Sequence, residues 1–112
     1  MILLTIHMKV APEKRQELTQ AMVSLMISIR RRKGCLHCKF YYSAEDPNEL
    51  CLFERWGSRQ ALTEHLRSEH FKVLLGAMSL LMEPHETRFF IEAPHFTIPG
   101  TENLCWMEMR QD

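Results

Sequence analysis

Residues 35–56 read CLHCKFYYSAEDPNELCLFERW, and they decide the fold because two strand-like runs flank a turn. The first run, residues 35–43, is rich in aromatic and other β-prone side chains. Residues 45–48 read EDPN, a composition typical of turns, and residues 50–56 form the second run. The stretch therefore predicts a β-hairpin with a slightly long loop.

A strand and a helix precede this hairpin. Residues 2–10 alternate apolar side chains with others, which is the period of a half-buried strand. Pro12 suits the first position of a helix, and the apolar residues that follow recur every three or four positions. Basic residues 30–33 suit the C-terminal end of the helix dipole, and Gly34 suits a stop. We expect a helix over residues 13–33.

Two helical runs and a strand follow the hairpin. Ser58 can cap the first run, and a second run begins after Ser68-Glu69 and ends before Pro84. Residues 87–92 are strand-like. The order β-α-β-β-α-β predicts an α+β fold of the ferredoxin-like, split-βαβ type, a four-stranded antiparallel sheet with helices on one face.

Length and charge limit the functions that the chain can have. Its 112 residues suit one domain, and 14 basic side chains balance 14 acidic ones. Net neutrality argues against nucleic acid or an anionic membrane surface as partner, and no apolar run approaches the ~20 residues of a bilayer span. Four cysteines without a secretory leader predict a reducing, cytoplasmic location.

The sheet carries more apolar surface than two helices can cover. Leu3 lies opposite the main apolar face of the first strand, and residues 89–91 are three large apolar side chains in succession. We therefore expect a homodimer in which two sheets close into a dimeric α/β barrel. Residues 1–93 would form the domain, and residues 94–112 a C-terminal extension that packs on the partner subunit or on the domain.

Cys35 and Cys38 form a Cys-x-x-Cys pair that we interpret as structural. Residues three apart on a strand point to opposite faces, so the two sulfurs are expected to diverge. No second pair stands at zinc-site spacing, so no metal site is expected.

His65 and His70 stand out among six histidines. They miss the i, i+4 spacing of a helical metal pair. If the helix breaks near Ser68, both rings could face one cavity, where a histidine suits a general base. A surface or helix-capping role is the simpler interpretation of each.

The segment that follows the hairpin carries a family resemblance. Residues 53–71 read FERWGSRQALTEHLRSEHF, which contains Glu-x-Trp-x-Ser followed by Ala-Leu-x-x-His-Leu-x-Ser-x-His-Phe. With the preceding Gly34 and Cys35, this segment resembles the antibiotic biosynthesis monooxygenase family over about residues 2–93. The resemblance implies a ferredoxin-like homodimer and cofactor-independent oxygenation of phenolic or quinol substrates in a pocket between helices and sheet.

Single positions favour one branch of that family. Its anthrone-oxidising members share Trp56, but they have Asn at the position of Leu52 and Tyr at that of Leu62. The haem-degrading branch has Trp where His65 stands. His65 and His70 match the two histidines of the quinol-type members, so the resemblance favours a quinol or polyphenol as the small aromatic substrate.

Oxygenation without a cofactor needs a base, an aromatic platform and an apolar wall. We expect His65 or His70 as the base and Trp56 as the platform. The expected wall consists of Leu50, Leu52, Leu62, Phe71 and Met78.

Two alternatives remain open from the sequence. One is a non-catalytic dimeric module that binds a small apolar ligand or senses oxidants through Cys51 or Cys105. The other is isomerase or lyase chemistry on a similar barrel, because one fold hosts many activities.

Overall fold

The structure is a computed structural model that describes residues 1–93, 96 and 98–100. It contains four strands and three α-helices in the order β-α-β-β-α-α-β within these residues. Their bounds are β1 Ile2–Lys9, α1 Arg15–Arg30, β2 Cys35–Tyr42, β3 Glu49–Trp56, α2 Arg59–Leu66, α3 Glu69–Ala77 and β4 Glu86–Ile91.

The four strands form one antiparallel sheet in the order β2-β3-β1-β4. In this order β1 lies between β3 and β4, although β1 is first along the chain, which is the split-βαβ topology. The predicted ferredoxin-like α+β fold is confirmed.

The core lies between this sheet and the helices. On β1, Leu4, Ile6 and Met8 are buried, whereas His7 and Lys9 on the other face are exposed. The buried side chains of α1 include Leu18, Met22, Leu25 and Ile29. All three helices therefore cover the same face of the sheet, as the alternation of β1 predicts.

The first helix is shorter than the predicted span of residues 13–33. A 3-10 turn at Pro12–Lys14 precedes α1, and α1 ends at Arg30. The amides of Arg31 and Arg32 donate to carbonyl oxygens three residues back, so the chain tightens and then leaves the helix. Residues 31–33 thus form the turn into β2 instead of the last helical turn.

Strand β4 leaves much apolar surface uncovered. Phe89, Phe90 and Ile91 are 53%, 45% and 72% exposed. The register pairs Ile91 with Ile2 on the helix-covered face and Phe90 with Leu3 on the opposite face. The predicted dimeric barrel would cover the opposite face, and it stays a prediction.

The predicted extension, residues 94–112, lies largely outside the described residues. In the part of the chain that is described, no helix is long and apolar enough to cross a membrane.

Gly34 holds the turn between α1 and β2 against α2. Its φ of +89° lies in the left-handed region that favours glycine. A Cβ at this position would stand 2.4 Å from the Cβ of Ala61. Because β-carbons do not approach so closely, a side chain here would force α2 away from the turn.

We expect Gly34→Ala to lower the free energy of unfolding by about 2 kcal/mol, through the contact with Ala61 and the positive φ. Urea denaturation measures this change. Adding Ala61→Gly should restore only part of the loss, because the strained φ remains.

Gly76→Ala is the matched control. Gly76 lies in α3 with open space around its Cα, so this change should be neutral or stabilise by up to about 1 kcal/mol. Equal stability of Gly34→Ala and the unsubstituted chain would contradict the packing described here.

Candidate active site

A cluster of polar and aromatic side chains lies inside the core, between β3 and the two short helices. Glu54 and Trp56 project from β3, and the indole Nε1 of Trp56 donates a 2.8 Å hydrogen bond to Glu54 Oε1. The imidazole of His65 on α2 stacks on the indole, with ring centroids 4.5 Å apart and planes 23° apart. Phe71 on α3 meets that imidazole edge-on at 5.5 Å. We call Glu54, Trp56, His65 and Phe71 the buried cluster.

Two serines set the positions of the helical members. Ser58 caps α2 by accepting from the amide of Ala61, and Ser68 caps α3 by accepting from the amide of Phe71. Ser68 also donates to the carbonyl oxygen of His65 at 2.6 Å. This double use of Ser68 links the last turn of α2, which contains His65, to the first turn of α3, which contains Phe71.

The ionisable pair in the cluster is fully enclosed. His65 Nε2 lies 3.3 Å from Glu54 Oε1, and both side chains have 0% exposure. This contact is at ion-pair distance but is not well directed as a hydrogen bond. Among the described residues, Glu54 Oε2 and His65 Nδ1 have no hydrogen-bond partner.

Such a pair is costly to bury. Removing a carboxylate and an imidazole from water costs several kcal/mol for each ionised group, and unsatisfied polar atoms add to that cost. An apolar pair of similar volume would avoid this penalty. A buried ionisable pair stacked on an aromatic ring is therefore a candidate functional site.

The expected site residues do not all meet in this cluster. Trp56, His65 and Phe71 come together, and Leu52 and Met78 are buried in the surrounding core. Leu50 and Leu62 are also buried, and each lines a groove described below.

His70 lies on the surface of α3, apart from His65. The side chain of His70 is exposed. The side chain of His65 has no accessible surface, so no water-sized space lies beside it. The helix break near Ser68 is confirmed, but the structure does not turn the two rings toward one cavity.

Glu54 was not among the expected site residues. The sequence held a signal for it, because Leu50, Leu52, Glu54 and Trp56 occupy alternate positions of one strand. A carboxylate among three large apolar residues on a core-facing strand face is unusual, and this pattern could have identified it.

Two of the open grooves formed by the described residues border helices, one at α2 and one at α1. The α2–β4 groove has a volume of about 340 Å³ and lies beside the buried cluster. Its lining residues are Ile2, Arg59, Leu62, Thr63, Leu66, Phe89, Phe90 and Ile91. The α1–β2 groove, of about 590 Å³, runs along the other edge of the sheet.

The side chains of the Cys-x-x-Cys pair do not point in the directions that the sequence predicts. A bulge between Cys35 and His37 shifts the register, so that Cys35 pairs with Trp56 and Cys38 with Glu54. Trp56 and Glu54 are two residues apart on one face of β3, so both cysteines lie on that same face. The prediction that the two side chains diverge is therefore wrong.

Burial nevertheless disfavours the thiolate form of the described cysteines. Desolvation is the main cause that raises the pKa of Cys38 to about 12, and the nearby Glu54 carboxylate adds to it. Burial also raises the pKa of Cys35 and of Cys51. Across the described residues, no group of three His, Cys, Asp or Glu side chains is arranged to hold a metal ion.

Comparison with known proteins identifies the family. The sequence model of the antibiotic biosynthesis monooxygenase family matches residues 1–75. The chain belongs to this family. The matched span includes all four residues of the buried cluster.

Individual relatives agree with this assignment. The Mycobacterium tuberculosis protein "Putative monooxygenase Rv0793" is 40% identical over 60 residues, which cover 54% of this chain and 58% of that protein. Its solved structure superposes with a TM-score of 0.78 at 27% identity and covers 86% of this chain and 98% of that one. "Putative monooxygenase YcnE" of Bacillus subtilis is 29% identical over 72 residues, 64% of this chain and 76% of that protein.

A structural neighbour extends the comparison beyond bacteria. A conserved protein from Methanosarcina mazei Go1 superposes with a TM-score of 0.78 at 29% identity, covering 82% of this chain and 92% of that one.

The sequence matches to Rv0793 and to a Synechocystis protein each span 58% of the relative's length.

We expect Cys38 in the folded chain at pH 7 to react with iodoacetamide at least about tenfold more slowly than in the urea-unfolded chain. Only the thiolate reacts, and a pKa of about 12 keeps Cys38 protonated at neutral pH. Its alkylation rate should therefore keep rising with pH well above 9. Peptide mass spectrometry reads each cysteine separately, and alkylation at the unfolded rate at pH 7 would contradict the burial.

Proposed function

We propose that the chain is a cofactor-independent monooxygenase that oxidises a quinol or polyphenol with dioxygen, with His65 as the proton acceptor. The observation that carries this proposal is the fully buried pair of Glu54 and His65 stacked on Trp56. Family membership supports the monooxygenase class. The substrate class rests on the chemistry of the buried cluster and of the groove beside it.

Dioxygen is a triplet and reacts slowly with closed-shell organic molecules. Deprotonation of a phenolic hydroxyl raises the energy of the ring electrons, so the phenolate can pass one electron to dioxygen. The radical pair then recombines on a ring carbon, and loss of water leaves a hydroxylated quinone. One oxygen atom enters the ring, the other leaves as water, and the substrate supplies all four electrons.

The members of the buried cluster match the needs of this reaction. The imidazole of His65 takes the phenolic proton, and the carboxylate of Glu54, 3.3 Å away, compensates the positive charge that results. The hydrogen bond from Trp56 fixes the oxygen of Glu54 that faces the imidazole. The apolar surroundings keep water from the radical intermediates.

The substrate reaches this base from the α2–β4 groove. Ile2 on the floor of the groove is the direct strand partner of Trp56, so the groove and the cluster are one strand apart. Leu62 lines the groove and is only 6% exposed, because its side chain also packs in the core. In the proposed reaction Leu62 moves aside together with the short helix α2. The phenolic hydroxyl of the substrate then reaches His65.

This assignment chooses between the two candidate histidines. His70 is exposed on α3, whereas His65 has a carboxylate partner and an apolar shell. The proposed catalytic group is therefore His65 alone. Leu50 and Leu52 have no direct part in the proposed binding site.

The other proposals concern the assembly and its location. The working unit is proposed to be a cytoplasmic homodimer built from residues 1–93, with residues 94–112 packed on the partner or on the domain. Thiol sensing is less favoured for the described cysteines, because burial raises the pKa of all three.

Oxygen uptake with a panel of hydroquinones and naphthohydroquinones tests the function. We expect His65→Ala to lower kcat by about 100-fold or more through loss of the base. Glu54→Gln should cause a smaller loss, since the imidazole keeps its place but loses the compensating charge. With ¹⁸O₂, one labelled atom should appear in the quinone product.

His70→Ala is the matched control and should keep normal turnover. Circular dichroism must show that each variant is folded. Loss of turnover in His70→Ala but not in His65→Ala, or uptake equal to buffer with every quinol, would reject the proposal.

Truncation of Leu62 tests the path from the groove. We expect Leu62→Ala to join the α2–β4 groove to the buried cluster and to raise kcat/KM for two-ring quinols relative to one-ring quinols. The same change should lower the free energy of unfolding by about 3 kcal/mol, because it leaves a cavity in the core. An unchanged preference between the two substrate sizes in a folded variant would exclude this route.

A further inference from the structure

The α1–β2 groove is the larger of the two grooves and shares no lining residue with the α2–β4 groove. Its volume of about 590 Å³ falls within the range of small-molecule sites, about 300–1,000 Å³. One wall is a single face of α1, and the other is the core-side face of the edge strand β2. Its lining residues are Arg15, Gln16, Thr19, Gln20, Val23, Met26, Phe40, Tyr42, Pro47 and Leu50.

The floor of this groove is apolar and contains an aromatic ring. Met26 and Leu50 are buried at its base, and Phe40 is half-buried beside them. Tyr42 continues the same face of β2 and is 70% exposed. Two aromatic side chains along an edge strand offer a flat surface on which a planar ligand can stack.

The rim is polar, and its side chains lack partners in the protein. Arg15, Gln16, Thr19 and Gln20 project from α1, and Tyr42 from β2. Among the described residues, none of these five side chains takes part in a hydrogen bond or an ion pair. Of the described residues that line the groove, only Arg15 is charged, so this lining presents a positive charge and no carboxylate.

We propose that the α1–β2 groove is a second ligand site, which binds a planar bicyclic aromatic acid. The rings stack over Phe40 and Tyr42, and the carboxylate of the ligand lies at the Arg15 end, where the side-chain amides of Gln16 and Gln20 add donors. This assignment is independent of the proposed oxygenation, because no residue with a role in that reaction lines this groove.

Fluorescence titration with two related probes tests the site. The first probe is 1-hydroxy-2-naphthoate, and the second is 2-naphthol, which is of similar shape but neutral at pH 7. We expect Val23→Glu to weaken binding of both probes by roughly tenfold or more, because it places a charge in the apolar middle of the groove. Val23 is 52% exposed, so the substitution leaves the core intact.

Arg15→Gln separates charge from shape. We expect this variant to bind 1-hydroxy-2-naphthoate about threefold more weakly and 2-naphthol unchanged, since an exposed ion pair contributes up to about 1 kcal/mol. Thr63→Glu is the matched control, because Thr63 lines the α2–β4 groove. The part of each titration that Val23→Glu removes should be unchanged by Thr63→Glu.

Three results would overturn the proposal. The first is that neither probe binds at millimolar concentration. The second is that Thr63→Glu rather than Val23→Glu abolishes binding, which would assign the probes to the other groove. The third is that Val23→Glu lowers the molar mass in solution, which would mean that a second copy of the chain covers the α1–β2 groove.

Discussion

The interior of this protein depends on the contacts that the carboxylate of Glu54 makes. One oxygen accepts from the indole of Trp56 and lies beside the imidazole of His65, so a single group joins β3 to α2. With both ionisable side chains fully enclosed, removal of either one alone would leave the other without its partner in a medium of low polarity. The two side chains therefore depend on each other.

The rest of the architecture holds this unit in place from two sides. The turn at Gly34 lets the end of α1 approach α2 at Ala61, close to where β3 ends. On the other side, Ser68 ends one helix and begins the next, so that the rings of His65 and Phe71 meet at a right-angled contact. Small residues and a serine hydroxyl at the helix ends therefore fix the positions of the buried side chains.

Much of this could be predicted from the sequence, because local patterns specify it. The alternation of Leu4, Ile6 and Met8 predicted which face of β1 is covered, and Ser58 predicted the start of α2. The bulge after Cys35 could not be predicted, since a register shift depends on the partner strand and leaves no trace in spacing. The separation of His65 from His70 likewise depends on the angle between two helices, which no period of three or four residues determines.

The shortness of α2 has a consequence for motion. At eight residues, it is below the roughly 12–15 residues at which a helix holds its own shape in water, so its packing on the sheet maintains it. Its amide protons should then exchange with solvent through local opening, at a lower free energy than those of β1 in the middle of the sheet. A segment that detaches more readily than the sheet beneath it gives the enclosed imidazole an intermittent route to the outside while the four-stranded framework remains folded.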